Sequence, residues 1–315
     1  MLRRALSALI LLVVWAGYAP PAGGAQAAEP DPIDYVALGD SYSAGPLIPV
    51  IRQDPVGCFR STNNYPAYLA GFLGVATYRD MTCSGARTDD FFTRQAVVFG
   101  DAPAAQLSAL SADTDLVTIG IGGNDHGLFG SMISTCQQVR HLDPTGSPCR
   151  EHFTTRDGVD TKLRDARDIE RLVAHVLIAV HRAAPNAAVY VVGYPRLLPL
   201  TGTCDAVPFA TGDYAWGRRI EWLLNTSLQQ AAADHRATYV NLYPATRGHD
   251  ACGSDAWING SVAKLNVALD FHPFQVGERE MGRAVFRSIT GQVVPDVAGD
   301  AAPPAGSVVL NPVTP

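Results

Sequence analysis

Two spacings of apolar and polar positions alternate along the chain. Short runs rich in Val, Ile and Tyr, bounded by Gly, Asp or Pro, stand at 33–39 (IDYVALG), 74–80 (GVATYRD), 115–122 (DLVTIGIG), 186–194 (NAAVYVVGY) and 237–243 (ATYVNLY). They predict five strands. Between the third and fourth, Ile169, Leu172, Val173, Val176, Leu177 and Val180 recur at intervals of three and four. That predicts a helix with one apolar stripe, ended by Pro185 and Asn186. A second helical pattern, Trp216 to Ala233, precedes the fifth run. Strands that alternate with helices are parallel, because each crossover helix returns the chain to the same edge and covers a sheet face. The expected fold is α/β, a three-layer α/β/α sandwich with a five-stranded, mainly parallel sheet. Ligands of such sheets gather at the carboxyl ends of the strands, so chemistry is to be sought just after each run.

The N-terminus departs from this pattern. Arg3 and Arg4 precede an apolar run from Ala5 to Ala16 and the small-residue stretch AGGAQAAEP. Together they predict a secretory signal peptide over residues 1–27, cut after Ala27. The run falls short of the ~20 residues of a spanning helix, so no membrane anchor is expected in the mature chain. One domain is expected over 28–293, followed by a Pro- and Ala-rich tail over 294–315. Losing Arg3 and Arg4 leaves 22 basic against 30 acidic residues and moves the formal charge from −6 to −8. No basic stripe is present to neutralise phosphates, which argues against nucleic acid as partner. Cysteines stand at 58, 83, 136, 149, 204 and 252. An even count in an exported chain without CxxC spacing predicts disulfides rather than a zinc site, with 15 pairings open.

After the first strand comes GDSYSAG, after the second CSGA (83–86), and after the third GGNDHG (122–127); LDFHP (269–273) precedes a last helical pattern. A serine, a glycine, an asparagine and a histidine thus fall on one sheet edge. A serine hydroxyl is a weak nucleophile until a neighbouring base accepts its proton, and His272 is the candidate base for Ser41. The oxyanion of a tetrahedral intermediate needs fixed donors, which a glycine N–H, an asparagine amide and the nucleophile's own N–H can supply. A helix starting at Ser41 would add its positive end. Ser41 could instead merely cap that helix, and Asn124 and Asp125 could merely close a turn. Asp40 is expected to bind nearby backbone N–H groups. Among the other histidines, His126 lies beside Asn124 and could touch substrate, while His175 and His181 belong to the helical pattern. No clustered metal-ligand spacing occurs, and no metal or cofactor is expected.

These four segments resemble the blocks of the SGNH, or GDSL, hydrolase family, in order and over about residues 35–290. The resemblance implies the family's flavodoxin-like sandwich. It implies roles for Ser41 as nucleophile, for Gly85 and Asn124 as oxyanion donors beside the Ser41 N–H, and for His272 as base. Family members usually carry an aspartate three residues before the histidine, where this chain has Leu269; Asp270 lies only two before. The chain is similar to a secreted six-cysteine, actinobacterial-type esterase and lipase group that orients the histidine with a main-chain carbonyl. That similarity favours the Leu269 carbonyl over the Asp270 carboxylate. It also implies the pairs Cys58 with Cys83, Cys136 with Cys149 and Cys204 with Cys252, the first bracing the nucleophile loop against the glycine block.

The expected function is therefore a secreted, monomeric esterase or lipase acting on acyl esters through an acyl-enzyme. AGPLIPVI (44–51), GLFG (127–130) and YPRLLPL (194–200) offer apolar side chains for a lipid-like substrate. An acetyl esterase of carbohydrates ranks lower, because few tryptophans are present for stacking on sugars. A non-catalytic binding module would not need the base and the amide that are present. An α/β-hydrolase is disfavoured, because no G-x-S-x-G elbow occurs.

Overall fold

The computed structural model describes residues 32–294. The expected signal peptide at 1–27 and the tail beyond Val294 lie outside the described residues. Five parallel strands, β1 (Asp34–Gly39), β2 (Thr77–Asp80), β3 (Leu116–Gly120), β4 (Ala188–Val192) and β5 (Thr238–Val240), form one sheet in the order β2-β1-β3-β4-β5. The helices are α1 (Ser41–Ala44), α2 (Tyr65–Leu73), α3 (Leu128–Val139), α4 (Pro148–His152), α5 (Thr161–Ala183), α6 (Asp213–Asp234), α7 (Leu242–Ala245) and α8 (Gln275–Thr290).

Side chains alternate across the strands and divide the core in two. Val36, Leu38, Val117, Ile119, Val189 and Val191 pack with the α5 stripe and with Ile220, Leu224 and Leu228 of α6. Tyr35, Ala37, Leu116, Val192 and Val240 face the other way, onto Leu69 of α2 and Met281, Val285 and Phe286 of α8. The sheet is thus covered on both faces, which is why its strands read as near-continuous apolar runs. Five strands and three layers agree with expectation, and the sheet is parallel throughout.

Element ends follow local chemistry. Asp160 caps α5 by accepting from the Leu163 N–H at 3.1 Å, and the helix stops two residues before Pro185. The predicted strand at 237–243 ends at Val240, because the Asn241 side chain accepts from the Tyr243 N–H and starts α7. The predicted strand at 74–80 begins only at Thr77, since Gly74 terminates α2 at φ 61°. Disulfides join Cys58 with Cys83, Cys136 with Cys149 and Cys204 with Cys252, the pairs implied by the resemblance, and leave no free cysteine among the described residues.

Candidate active site

The site is assembled where the strands end. Gly39, at φ 154°, closes β1 so tightly against β3 that a Cβ there would stand 2.6 Å from the Gly120 carbonyl. The chain then turns into α1, and the capping is done by Asp40, whose carboxylate accepts from the Tyr42 N–H at 3.0 Å. Ser41 is left free of that duty. Its Oγ lies 2.8 Å from Nε2 of His272. The expected dipole of a helix starting at Ser41 is small, because α1 is a single turn of four residues.

His272 is held by a loop that folds back on itself. Its Nδ1 lies 2.7 Å from the carbonyl oxygen of Asp270. This corrects the expectation for Leu269: a main-chain carbonyl does face the ring, but it belongs to Asp270. The Leu269 carbonyl is taken by the Asn259 amide at 3.0 Å and the His272 N–H at 3.3 Å. Phe271, at φ 57°, turns the imidazole toward the carbonyl two residues back. A carbonyl can only accept, so Nδ1 carries the proton and Nε2 faces Ser41 as the acceptor a base must be. Burial pushes the imidazole below its usual pKa, partly offset by the Asp270 carbonyl and charge, and so favours the neutral ring. Tyr42 lies against the ring, with centroids 4.9 Å apart, and donates its hydroxyl to the Phe271 carbonyl.

The glycine and asparagine blocks are laced together. Cys83 donates to the Gly39 carbonyl at 3.0 Å and Ser84 to the Cys58 carbonyl at 3.0 Å, so the Cys58–Cys83 bridge fastens this segment beside the end of β1. Gly85, at φ 80°, adopts a conformation that favours glycine, and its N–H has no acceptor among the described residues. The Asn124 amide donates to the Ala86 carbonyl at 3.0 Å, which leaves its second hydrogen available. Asp125 accepts from the Thr88 hydroxyl at 2.6 Å and from the Thr88 N–H.

Ser41, Asn124 and His272 line one cavity of about 260 Å³; Gly85 is not among its lining residues. The apolar part of its wall comes from Phe129, Ile133, Leu269 and Phe271, together with the Tyr42 ring. The expected apolar segments contribute unequally. GLFG supplies Phe129 and Gly130, YPRLLPL supplies only Tyr194, and AGPLIPVI supplies none, its Ile48 being buried in the core. His126 lies outside the lining and pairs with Asp168 at 2.9 Å, His175 stacks on Phe92, and His181 contacts the His235 carbonyl at 2.8 Å. Sequence reasoning passed over Tyr42 and Tyr194; their signal was their place, one residue after Ser41 and two after β4. Among the described residues no group of three His, Cys, Asp or Glu side chains could hold a metal ion, and no helix is long and apolar enough to cross a membrane.

The profile of the GDSL-like lipase/acylhydrolase family matches residues 37–279. Lipase 2 of Streptomyces coelicolor is 37% identical over 291 residues, covering 89% of this chain and 95% of the relative. Lipase 1 of the same organism is 36% identical, covering 87% and 94%. Two crystal structures superpose with a TM-score of 0.66 over 82% of this chain and 99% of theirs: phospholipase A1 from Streptomyces albidoflavus, 28% identical, and the extracellular lipase of Streptomyces rimosus, 29% identical. By sequence profile, by relatives of nearly the same length and by fold, the chain belongs to the GDSL-like lipase/acylhydrolase family and is an ester hydrolase of the SGNH type.

Proposed function

We propose that the protein is a secreted serine esterase that cleaves lipid-like acyl esters through an acyl-enzyme. The observation that carries this is the 2.8 Å contact between Ser41 Oγ and an Nε2 left as acceptor by the Asp270 carbonyl. Ser41 Oγ attacks the ester carbonyl carbon as its proton passes to Nε2. The intermediate's oxyanion is met by the N–H groups of Ser41 and Gly85 and by the Asn124 amide. Collapse breaks the bond to the alcohol, which leaves with the proton from Nε2. Water then attacks the acyl carbon, gives its proton to Nε2, and releases the acid as Ser41 Oγ is reprotonated.

An acyl chain as substrate is supported by the apolar wall of Phe129, Ile133, Leu269 and Phe271 beside Ser41. It is also supported by the names of the relatives, lipases and a phospholipase A1. Secretion is supported by the N-terminal pattern, by three disulfides and by the extracellular lipase of Streptomyces rimosus. The test is a chain-length series of p-nitrophenyl esters with phospholipid and acetyl-xylan. Rising kcat/KM beyond acetate is expected, and preference for acetyl-xylan contradicts the lipid-like substrate.

A further inference from the structure

The roles proposed so far fall on segments after β1, β2 and β3 and on the loop before α8; the segment after β4 supplies none. Tyr194, two residues past β4, is nonetheless only 4% exposed and lines the same cavity. Its phenol oxygen accepts from the Gly123 N–H at 2.8 Å and donates to the Asp40 carboxylate. Each contact lands one residue before a group of the proposed machinery: Gly123 precedes Asn124, and Asp40 precedes Ser41. One hydroxyl therefore spans the two backbone segments that bear the Ser41 N–H and the Asn124 amide.

The tyrosine is itself pinned. Asn225 on α6 accepts from the Tyr194 N–H at 2.9 Å and donates to its carbonyl at 3.2 Å. The ring meets Tyr42 and Phe129 edge to face, at 5.2 Å and 5.7 Å between centroids. Packing around Gly123 is tight, since a Cβ there would stand 3.0 Å from both the phenol oxygen and the Phe129 ring. Burial and the neighbouring Asp40 keep the phenol protonated, so it serves one partner as donor and the other as acceptor. Both partners are buried, so neither bond is exchanged for water without cost.

We propose that Tyr194 is a positioning residue for the oxyanion hole: its hydroxyl ties the Gly123 backbone to the Asp40 carboxylate and thereby sets the spacing of the Ser41 N–H and the Asn124 amide. This rests on the roles proposed above for Ser41 and Asn124. Such donors act on charge that develops in the transition state and must stand in place beforehand. A misplacement of about 1 Å costs on the order of 10²-fold. The ground-state ester carbonyl asks less of the same donors, so the loss falls on kcat and not on KM.

Tyr194→Phe removes one oxygen and keeps the ring. On a soluble p-nitrophenyl ester, kcat is expected to fall ~10- to 100-fold with KM within about two-fold, and active-site titration with a phosphonate should still count one site per chain. In an Asn124→Ala background the same change is expected to cost much less, because the donor being placed is gone. A merely structural role predicts equal factors in both backgrounds and a loss of titratable sites. The proposal is overturned if Tyr194→Phe keeps kcat within about two-fold or if its factors in the two backgrounds are equal. Wild-type kcat in Asn124→Ala would count instead against the role given to Asn124.

Discussion

The carbonyl oxygen of Asp270 stands 2.7 Å from Nδ1 of His272, and no hydrogen bond joins the Asp270 carboxylate to the ring. The left-handed turn at Phe271 produces this geometry. Bonds from the Asn259 N–H to the His272 carbonyl, at 2.8 Å, and from the Tyr42 hydroxyl to the Phe271 carbonyl hold it. A neutral backbone group can fix the tautomer of the imidazole, whereas a carboxylate would also stabilise the charged ring that forms during attack.

Asp270→Asn leaves the main-chain carbonyl in place. The change should therefore cost less than ~10²-fold in kcat, since only a nearby charge is lost. Steady-state kinetics on the folded variant decide it: a fall near ~10⁴-fold, the scale of a lost triad carboxylate in serine proteases, would restore Asp270 as a triad acid.

Asn124→Ala removes an amide that faces the cavity beside Ser41. Its expected cost is ~10²- to 10³-fold in kcat with little change in KM, because the amide acts on charge that appears only in the transition state. A change confined to KM would assign Asn124 to substrate positioning.

The base must be neutral to accept the Ser41 proton, so activity is present above the His272 pKa and lost as pH falls through it. Burial lowers that pKa from the ordinary imidazole value, so the acid limb of kcat/KM should lie below about 6.5. Asp270→Asn should move the limb further down, because the Asp270 charge favours the protonated ring. A limb above about 6.5 in the wild-type protein would contradict this environment for His272.

Much of this arrangement was legible in the residues alone. The strands were readable because both faces are buried, and α5 because its stripe at Ile169, Val173, Val176 and Val180 faces one layer. Helix α2 was not, since YPAYLAGFL is largely buried and shows no polar face to set the period. Ser41 and Asn124 could be picked out because each sits in a short polar segment just after a strand, and His272 because its FHP segment directly precedes a helical pattern. The partner of Nδ1 could not, because it depends on the backbone angle of Phe271, and Leu269 and Asp270 differ there by one residue of register. Nor could Tyr194 be singled out within YPRLLPL, where an amphipathic ring among leucines reads as apolar. Its hydroxyl gains meaning only once β4 delivers it beside Asp40 and Gly123.

The central claim is that Ser41 Oγ carries the acyl group, and the most direct measurement is intact-protein and peptide mass spectrometry after quenching turnover of a p-nitrophenyl ester and after reaction with a serine-directed phosphonate. One adduct per chain is expected, on the peptide that contains Ser41. It should be absent from a folded Ser41→Ala variant whose turnover is reduced ~10⁴-fold or more. An adduct on another residue, or substantial turnover by Ser41→Ala, would contradict the account.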